Sequence, residues 1–324
     1  MSVLPEFSLN RPETLDDALS LLSDRPDSRA LGGGTDLLVN IRRGLGDERP
    51  LIDMTGIDDL KDVIVENDHL RVGASVTIAE LAGNSDVREK FPVIAEAAHS
   101  IAGPTHRAMG TVGGNICLDT RCKFYNQSQW WRDANDYCLK YQGSKCHVAP
   151  KSKICFATFS GDLAPAFLVM NGTVTVAGPR GEREVPLSEL YTGDGENYLT
   201  LGDGEIVVAV SAHVDADLRS AYDKIRVRQS IDFPLAGIAV ALKMDGNNIA
   251  DLRVAITGTN PKPVLLDGID DIFGGPLSDG ALAILDDLAR DQIMAMKTTV
   301  TPGHYRRRAA IAIAKRLVKR LAST

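Results

Sequence analysis

The chain has 324 residues, 44% of them hydrophobic and 24% charged, with a net charge of −7. That length suggests about two domains, and the composition supports a packed core over wholesale disorder. The acidic balance argues against a general nucleic-acid binder, which needs a basic surface; no apolar run of about 18 residues exists, so no membrane span is expected. Met1 to Pro12 show no basic-then-apolar signal region, which predicts a cytoplasmic location.

Taken in chain order, Thr14 is placed to cap a helix whose apolar residues Leu15, Ala18, Leu19 and Leu22 recur at helical spacing. A short strand candidate leads into the loop Leu31-Gly32-Gly33-Gly34-Thr35-Asp36, and Pro50–Asp53 reads as another strand. Val63–Val65 and His69–Ala74, joined by polar residues, predict a hairpin. Thr77–Leu81 and Pro92–Ile101 predict helices, with Pro92 suited to a first helical position. A second glycine loop, Gly110-Thr111-Val112-Gly113-Gly114-Asn115, precedes a cysteine-rich segment and then Asp162-Leu163-Ala164-Pro165-Ala166. Thr173–Ala177, Glu205–His213, Ala236–Met244 and Leu252–Thr257 predict strands; Ser278–Ala289 and Gly303–Leu321 predict helices. A domain boundary is expected near 214–220. The final helix carries an apolar stripe (Ala310, Ile313, Ala314, Leu317, Leu321) and seven cations including Arg306, read as a solvated face.

Consecutive glycines free the backbone for angles closed to other residues and let N–H groups approach an anion closely. Two such loops could hold two ends of one phosphate-bearing ligand, although each alone also reads as a tight turn. Neither fits G-x-G-x-x-G or G-x-x-x-x-G-K-[ST], so no Rossmann or P-loop assignment follows. Asp162 alone reads as a helix N-cap.

The cysteines are unevenly placed. All five lie between Cys117 and Cys155, and residues 120–160 hold 8 of the 17 aromatic residues, both tryptophans among them. From Arg121 to Cys155 seven Lys/Arg face two acids, a local balance of +5 on an acidic chain. The last four cysteines, Cys122, Cys138, Cys146 and Cys155, are separated by 15, 7 and 8 residues. Disulfides are disfavoured without an export signal, and paired zinc knuckles are absent. A [4Fe–4S] cluster accepts four thiolates from a folded loop; from spacing alone, zinc and an iron–sulfur cluster stand about equal. Trp130 and Trp131 suit either the exclusion of water or a small core.

Several of these motifs together resemble the FAD-binding subunits of molybdenum hydroxylases. Leu31 to Leu37 resembles that family's AGGTDL loop, Thr111-Val112-Gly113-Gly114-Asn115 its T-[IV]-GGN loop, and His106-Arg107-Ala108-Met109-Gly110 stands where QIRNxG is common. Asp162-Leu163-Ala164-Pro165-Ala166 matches DLAPAL, and Tyr222-Asp223-Lys224-Ile225-Arg226 resembles the F-x-K-x-x-x-R signal. The order holds over almost the whole chain. The resemblance implies an α+β fold: a two-lobed FAD-binding (PCMH-type) domain over 1–217, then a small α+β domain over 218–324, as in the carbon monoxide dehydrogenase flavoprotein. It implies that Leu31, Gly32, Gly33, Gly34, Thr35, Asp36, Leu37, Thr111, Gly113, Gly114 and Asn115 hold the FAD, with Asp162 and Lys224 near the flavin.

The sequence departs from the family in one place. Asn115 and Asp162 are 47 positions apart, where relatives have a short stretch, and the excess, 119–158, coincides with the cysteine-rich segment. This insertion resembles that of the 4-hydroxybenzoyl-CoA reductase branch, which carries an extra [4Fe–4S] cluster. That likeness implies Cys122, Cys138, Cys146 and Cys155 as cluster ligands and leaves Cys117 aside; His147, adjacent to Cys146, is a lesser candidate and reads as solvent-facing. It further implies a molybdopterin-binding large subunit, a [2Fe–2S] small subunit, a dimer of heterotrimers and a ferredoxin donor. No catalytic residue is expected on this chain, which would pass electrons toward reductive dehydroxylation elsewhere. Two other readings stay open: an ordinary molybdenum-hydroxylase flavin subunit with a structural zinc, and a non-enzymatic zinc-stabilised scaffold.

Overall fold

The structure, a computed structural model, describes residues 4–46 and 49–323. Its first lobe is a small parallel sheet of β1 (Leu9–Asn10), β2 (Arg29–Leu31) and β3 (Leu51–Asp53), in the order β1-β3-β2. The helix Leu15–Asp24 packs on it. Its first turn is held by the Thr14 hydroxyl, which accepts the Asp17 N–H, and Ala18 and Leu22 are buried at the expected period.

The second lobe is an antiparallel sheet of β4 (Val63–Glu66), β5 (His69–Gly73), β6 (Thr173–Gly178), β7 (Gly181–Pro186) and β8 (Ile206–His213), ordered β4-β5-β8-β6-β7. The expected hairpin and both long strands are present. β7 went unpredicted because it is an edge strand with one buried residue, Val185, and charged neighbours that blunt the edge. Helices Ile78–Gly83, Pro92–Ser100 and Leu163–Leu168 enclose a core around Phe91, Ile94, Phe159 and Phe167. Thr77 and Glu80 form a reciprocal capping box at the first of these helices.

The C-terminal sheet contains β9 (Arg219–Ile225), β10 (Ala236–Asp245), β11 (Asn248–Thr257) and β12 (Val264–Leu265), antiparallel in the order β12-β11-β10-β9. One face packs on helices Asp279–Gln292 and Gly303–Ala322, where the predicted apolar stripe is buried. Of the seven cations on the last helix, Arg308, Arg316, Lys319 and Arg320 are exposed as expected, and Arg306 is the exception. Arg306 is fully buried and donates to the carbonyls of Leu235, Met296 and Gly258, because Gly303–Ala322 enters the fold at that turn. Lys315 pairs with Asp286 and Arg316 with Asp223.

The other face of this sheet offers Tyr222, Ala239, Ala241 and Ala255 to the second lobe's core. Small side chains there let Pro92–Ser100 and Leu163–Leu168 approach closely. This packing brings β9, and with it Lys224, to the start of the helix that follows Asp162. Among the described residues, no helix is long and apolar enough to cross a membrane.

Candidate functional site

Both glycine loops border one cavity of about 440 Å³, which Asp162, Asp119, Arg121, Tyr125, Tyr198 and Phe233 also line. The loops meet backbone to backbone. A Cβ on Gly33 would overlap the Met109 carbonyl, and one on Gly32 would strike the Thr111 hydroxyl. Gly34 has φ +69°, a left-handed conformation that favours glycine. Glycine is thus required at three successive positions for two different reasons. The N–H groups of Gly33, Gly34 and Thr35 make no hydrogen bond among the described residues. An anion in the cavity would satisfy them, as at other concave backbone sites.

The second loop is the first turn of the short helix Val112–Ile116. The Thr111 hydroxyl accepts the Gly114 N–H at 3.2 Å, and the Gly113 N–H donates to the Ala74 carbonyl at 2.8 Å. Asn115 reaches out of this turn, its Oδ1 accepting the Leu163 N–H at 3.0 Å. Asn115 therefore does the capping that the sequence suggested for Asp162. Asp162 stands at the N-cap position with helical angles and makes no side-chain cap bond. Its Oδ1 accepts instead from Tyr222 Oη at 2.6 Å and Lys224 Nζ at 3.0 Å. The side chains of Asp162 and Lys224 are 5% and 3% exposed. Burial and the neighbouring Asp162 carboxylate push the Tyr222 phenol well above its ordinary range. Tyr222 escaped sequence reasoning as a site residue because the motif points at the lysine two positions later.

Asp36 turns away from capping as well. It forms an ion pair with Arg121 and accepts from Asn40 Nδ2 at 3.1 Å. Arg121 also donates to Asn40 Oδ1 at 3.2 Å and lies 4.6 Å over the Phe233 ring, while its buried Nε has no partner. Burial lowers its guanidinium to about 10. In the sequence it was merely one of seven cations; only the fold shows that it closes the cavity.

Arg121 and Thr158 exchange backbone bonds at 2.7 Å in each direction, which makes them the neck of the insertion. Beyond it, Cys122, Cys138, Cys146 and Cys155 are all buried and free of disulfides. Cys122, Cys138 and Cys155 pack together with Tyr125 and Ala157, and the Cys146 sulfur acts electrostatically on all three. The Cys155 sulfur accepts the Ala157 N–H at 3.4 Å, and the backbone N–H groups of Phe124 and Tyr125 lie toward Cys122 and those of Lys140 and Tyr141 toward Cys138. Burial raises the thiols of Cys122 and Cys138 and lifts Cys155 to about 12; the N–H donors pull the other way. Among the described residues, no three His, Cys, Asp or Glu side chains stand in an arrangement that holds a metal ion. Cys117 is separate: it lines the cavity, and burial lifts its thiol to about 12.

Two expectations for the insert change. Trp130 is 77% exposed and so neither shields the cysteines nor forms a core. His147 is half-buried, with Nε2 2.5 Å from the Tyr137 carbonyl and its ring 5.6 Å from that of Phe124.

Comparison with known proteins agrees with this geometry. A family model described as the FAD binding domain in molybdopterin dehydrogenase matches residues 5–212. The chain belongs to this family. A second model, the CO dehydrogenase flavoprotein C-terminal domain, matches residues 220–321. The chain is 30% identical over 291 residues to the aldehyde oxidoreductase FAD-binding subunit PaoB of Escherichia coli K12, covering 87% of this chain and 89% of that one. It is 25% identical over 324 residues to the carbon monoxide dehydrogenase medium chain of Afipia carboxidovorans, covering 97% and 96%. Reconstituted CO dehydrogenase from Oligotropha carboxidovorans shares the fold, with a TM-score of 0.80, 23% identity and 99% of each chain covered. The α+β architecture expected from the sequence is thereby established, and with it an FAD-binding subunit of an oxidoreductase of the molybdenum hydroxylase family.

Proposed function

We propose that this chain is the electron-carrying subunit of a 4-hydroxybenzoyl-CoA reductase, holding FAD in the cavity and a [4Fe–4S] cluster in the 119–158 insertion. Four buried cysteines within that one insertion carry this reading, beside a flavin cavity and with backbone N–H groups turned toward the sulfurs of Cys122, Cys138 and Cys155. Such N–H groups stabilise thiolates and tune iron–sulfur centres. The absence of an ion-holding triad concerns a single metal ion; a four-iron cluster stands between its ligands and keeps them farther apart than the tetrahedral ligands of zinc. The ligands in this reading are Cys122, Cys138, Cys146 and Cys155.

The cavity residues fit FAD. The unpaired N–H groups of Gly33, Gly34 and Thr35 would receive the pyrophosphate, with Gly32, Asp36 and Leu37 shaping one wall and Thr111, Gly114 and Asn115 the other, while Gly113 stands behind that wall against Ala74. Lys224, held by Asp162, would place a fixed positive charge near the flavin ring, which favours its reduced anion. When bound, FAD supplies the exchange between one-electron and two-electron chemistry. Residues 1–217 and 218–324 act as the two domains. A molybdopterin-binding large subunit and a [2Fe–2S] small subunit complete the enzyme as a dimer of heterotrimers, a ferredoxin donates electrons, and the aromatic substrate binds on another chain.

Iron and acid-labile sulfide analysis of the purified protein, beside its visible spectrum, tests the cluster. Four irons per chain with broad brown absorbance are expected, and Cys122→Ala should lose them while retaining FAD. Stoichiometric zinc in place of iron would return the chain to the ordinary flavin-subunit reading. Reoxidation of the reduced complex by 4-hydroxybenzoyl-CoA, with benzoyl-CoA as product, tests the substrate.

A further inference from the structure

One lysine ties the insertion to the cavity wall. The Lys140 side chain is 5% exposed, and Nζ donates to Asp119 Oδ1 at 2.9 Å, Thr120 Oγ1 at 2.8 Å and the Gly195 carbonyl at 2.6 Å. An ammonium has three hydrogens, so every donor is committed and the charge is fixed in place. Nζ also lies 5.4 Å over the Tyr125 ring and 5.5 Å over the Tyr198 ring. Tyr125 borders the cavity and also packs against Cys122, Cys138 and Cys155. The Gly195 N–H donates to the Cys155 carbonyl at 2.8 Å, so Lys140 and Cys155 share one turn. The backbone N–H of Lys140 itself points at the Cys138 sulfur.

Charges of both signs surround this lysine at fixed positions. Asp119 pairs with Lys140 and also faces Arg29, while Glu196 faces Lys140 and the Asp194 carboxylate accepts the Cys155 N–H at 3.0 Å. Through Gly195 the Lys140 ammonium is fixed one turn from Cys155, in a region of low dielectric where each charge acts strongly on an added electron.

We propose that Lys140 and Asp119 are opposed positioning residues that set the reduction potential of the cysteine-held centre, Lys140 raising it and Asp119 holding it down. This inference rests on the redox reading of the four cysteines. The reaction concerned is the addition of one electron, from a low-potential iron–sulfur donor protein or from dithionite in a titration. No bond forms or breaks, and the centre becomes more negative by one charge.

The test is an EPR-monitored redox titration of the purified complex carrying Lys140→Met or Asp119→Asn, each checked for iron, sulfide and FAD content. Lys140→Met should make reduction at least tenfold less favourable, 59 mV for a one-electron couple. Asp119→Asn should shift the potential upward. Loss of structure alone would move both variants the same way, so opposite signs identify the charge effect. Shifts of the same sign, or no shift in iron-replete samples, overturn the proposal. Should Lys140→Met fail to assemble, Asp119→Asn decides: an unmoved or lowered potential refutes it. Wild-type protein lacking iron and sulfide would instead refute the redox reading itself.

Discussion

The two sides of the flavin cavity are built by opposite means. On the glycine-loop side backbone meets backbone: Gly33 lies against the Met109 carbonyl and Gly32 against Thr111, with no room for a side chain. On the insertion side, side chains bridge the gap: Arg121 to Asp36, Lys140 to Asp119, Tyr125 to the cysteines. The first construction has almost no freedom to vary, since any added atom collides. The second is a network of charges whose members can be exchanged one at a time. Mutations should therefore act all-or-none on the first side and in graded fashion on the second.

The sharpest way to break that contrast is Gly33→Ala. The new methyl would displace the Met109 carbonyl and separate the loops, a core overpacking expected to cost about 2–4 kcal/mol. Flavin absorbance per chain should fall at least tenfold and the melting temperature should drop. Gly44→Ala provides the contrast: Gly44 has φ +66° and nothing within 4 Å, so only backbone strain of about 1–2 kcal/mol is expected. Equal flavin loss in both variants would show that loop conformation, and not close approach, is what matters.

The same contrast explains what could be read in advance. Consecutive glycines are a sequence-level mark of backbone constraint, so Gly32, Gly33 and Gly34 announced their cavity. The helix at Leu15–Asp24 and the hairpin of β4 and β5 were equally legible, through periodicity and turn residues. The insertion's work was not. Arg121, Lys123, Lys140 and Lys145 look alike in the sequence, and only the neck formed with Thr158 turns Arg121 inward. Asp162 shows the limit within a recognised motif. A carboxylate ahead of a helix reads as a cap, yet Asn115, 47 positions away, takes that role and frees Asp162 for Lys224 and Tyr222. Long-range partners of this kind leave no local trace.

On the graded side, the Arg121–Asp36 pair should give the largest response. Both side chains are mostly buried, at 18% and 26% exposure. A double-mutant cycle with Arg121→Ala and Asp36→Asn should yield a coupling of about 1–3 kcal/mol by denaturant unfolding. Flavin should be weakened without being lost. Complete flavin loss in Arg121→Ala would place this arginine among the all-or-none elements. Tyr222→Phe should be milder. It removes one buried donor to Asp162 while Lys224 remains, at a cost of about 1–2 kcal/mol with FAD retained.

The smallest effect tests whether either side feels a change made elsewhere. Glu205, in the turn just before β8, accepts from Arg183 at 2.8 Å and from the Gly202 N–H at 2.9 Å. These bonds, led by that to Arg183, lower its carboxyl to about 2. A carboxyl lowered in the folded state contributes stability that is present above its unfolded value near 4.5 and is lost as pH falls toward about 2. Arg180 and Arg183 are 88% and 43% exposed, so solvent screening brings the contribution down to about 1 kcal/mol. Glu205→Gln should therefore flatten the acid limb of the stability curve between those values and change little at neutral pH. Flavin and iron content should match wild type at pH 7, because the pair links β7 to the turn before β8, with β6 between them, and among the described residues the Glu205 carboxylate accepts from Gly202, Arg180 and Arg183, none of which lines the cavity. A loss of flavin in this variant would mean that the cavity wall responds to the five-stranded sheet as a whole, and the division between a rigid side and a graded side would fail.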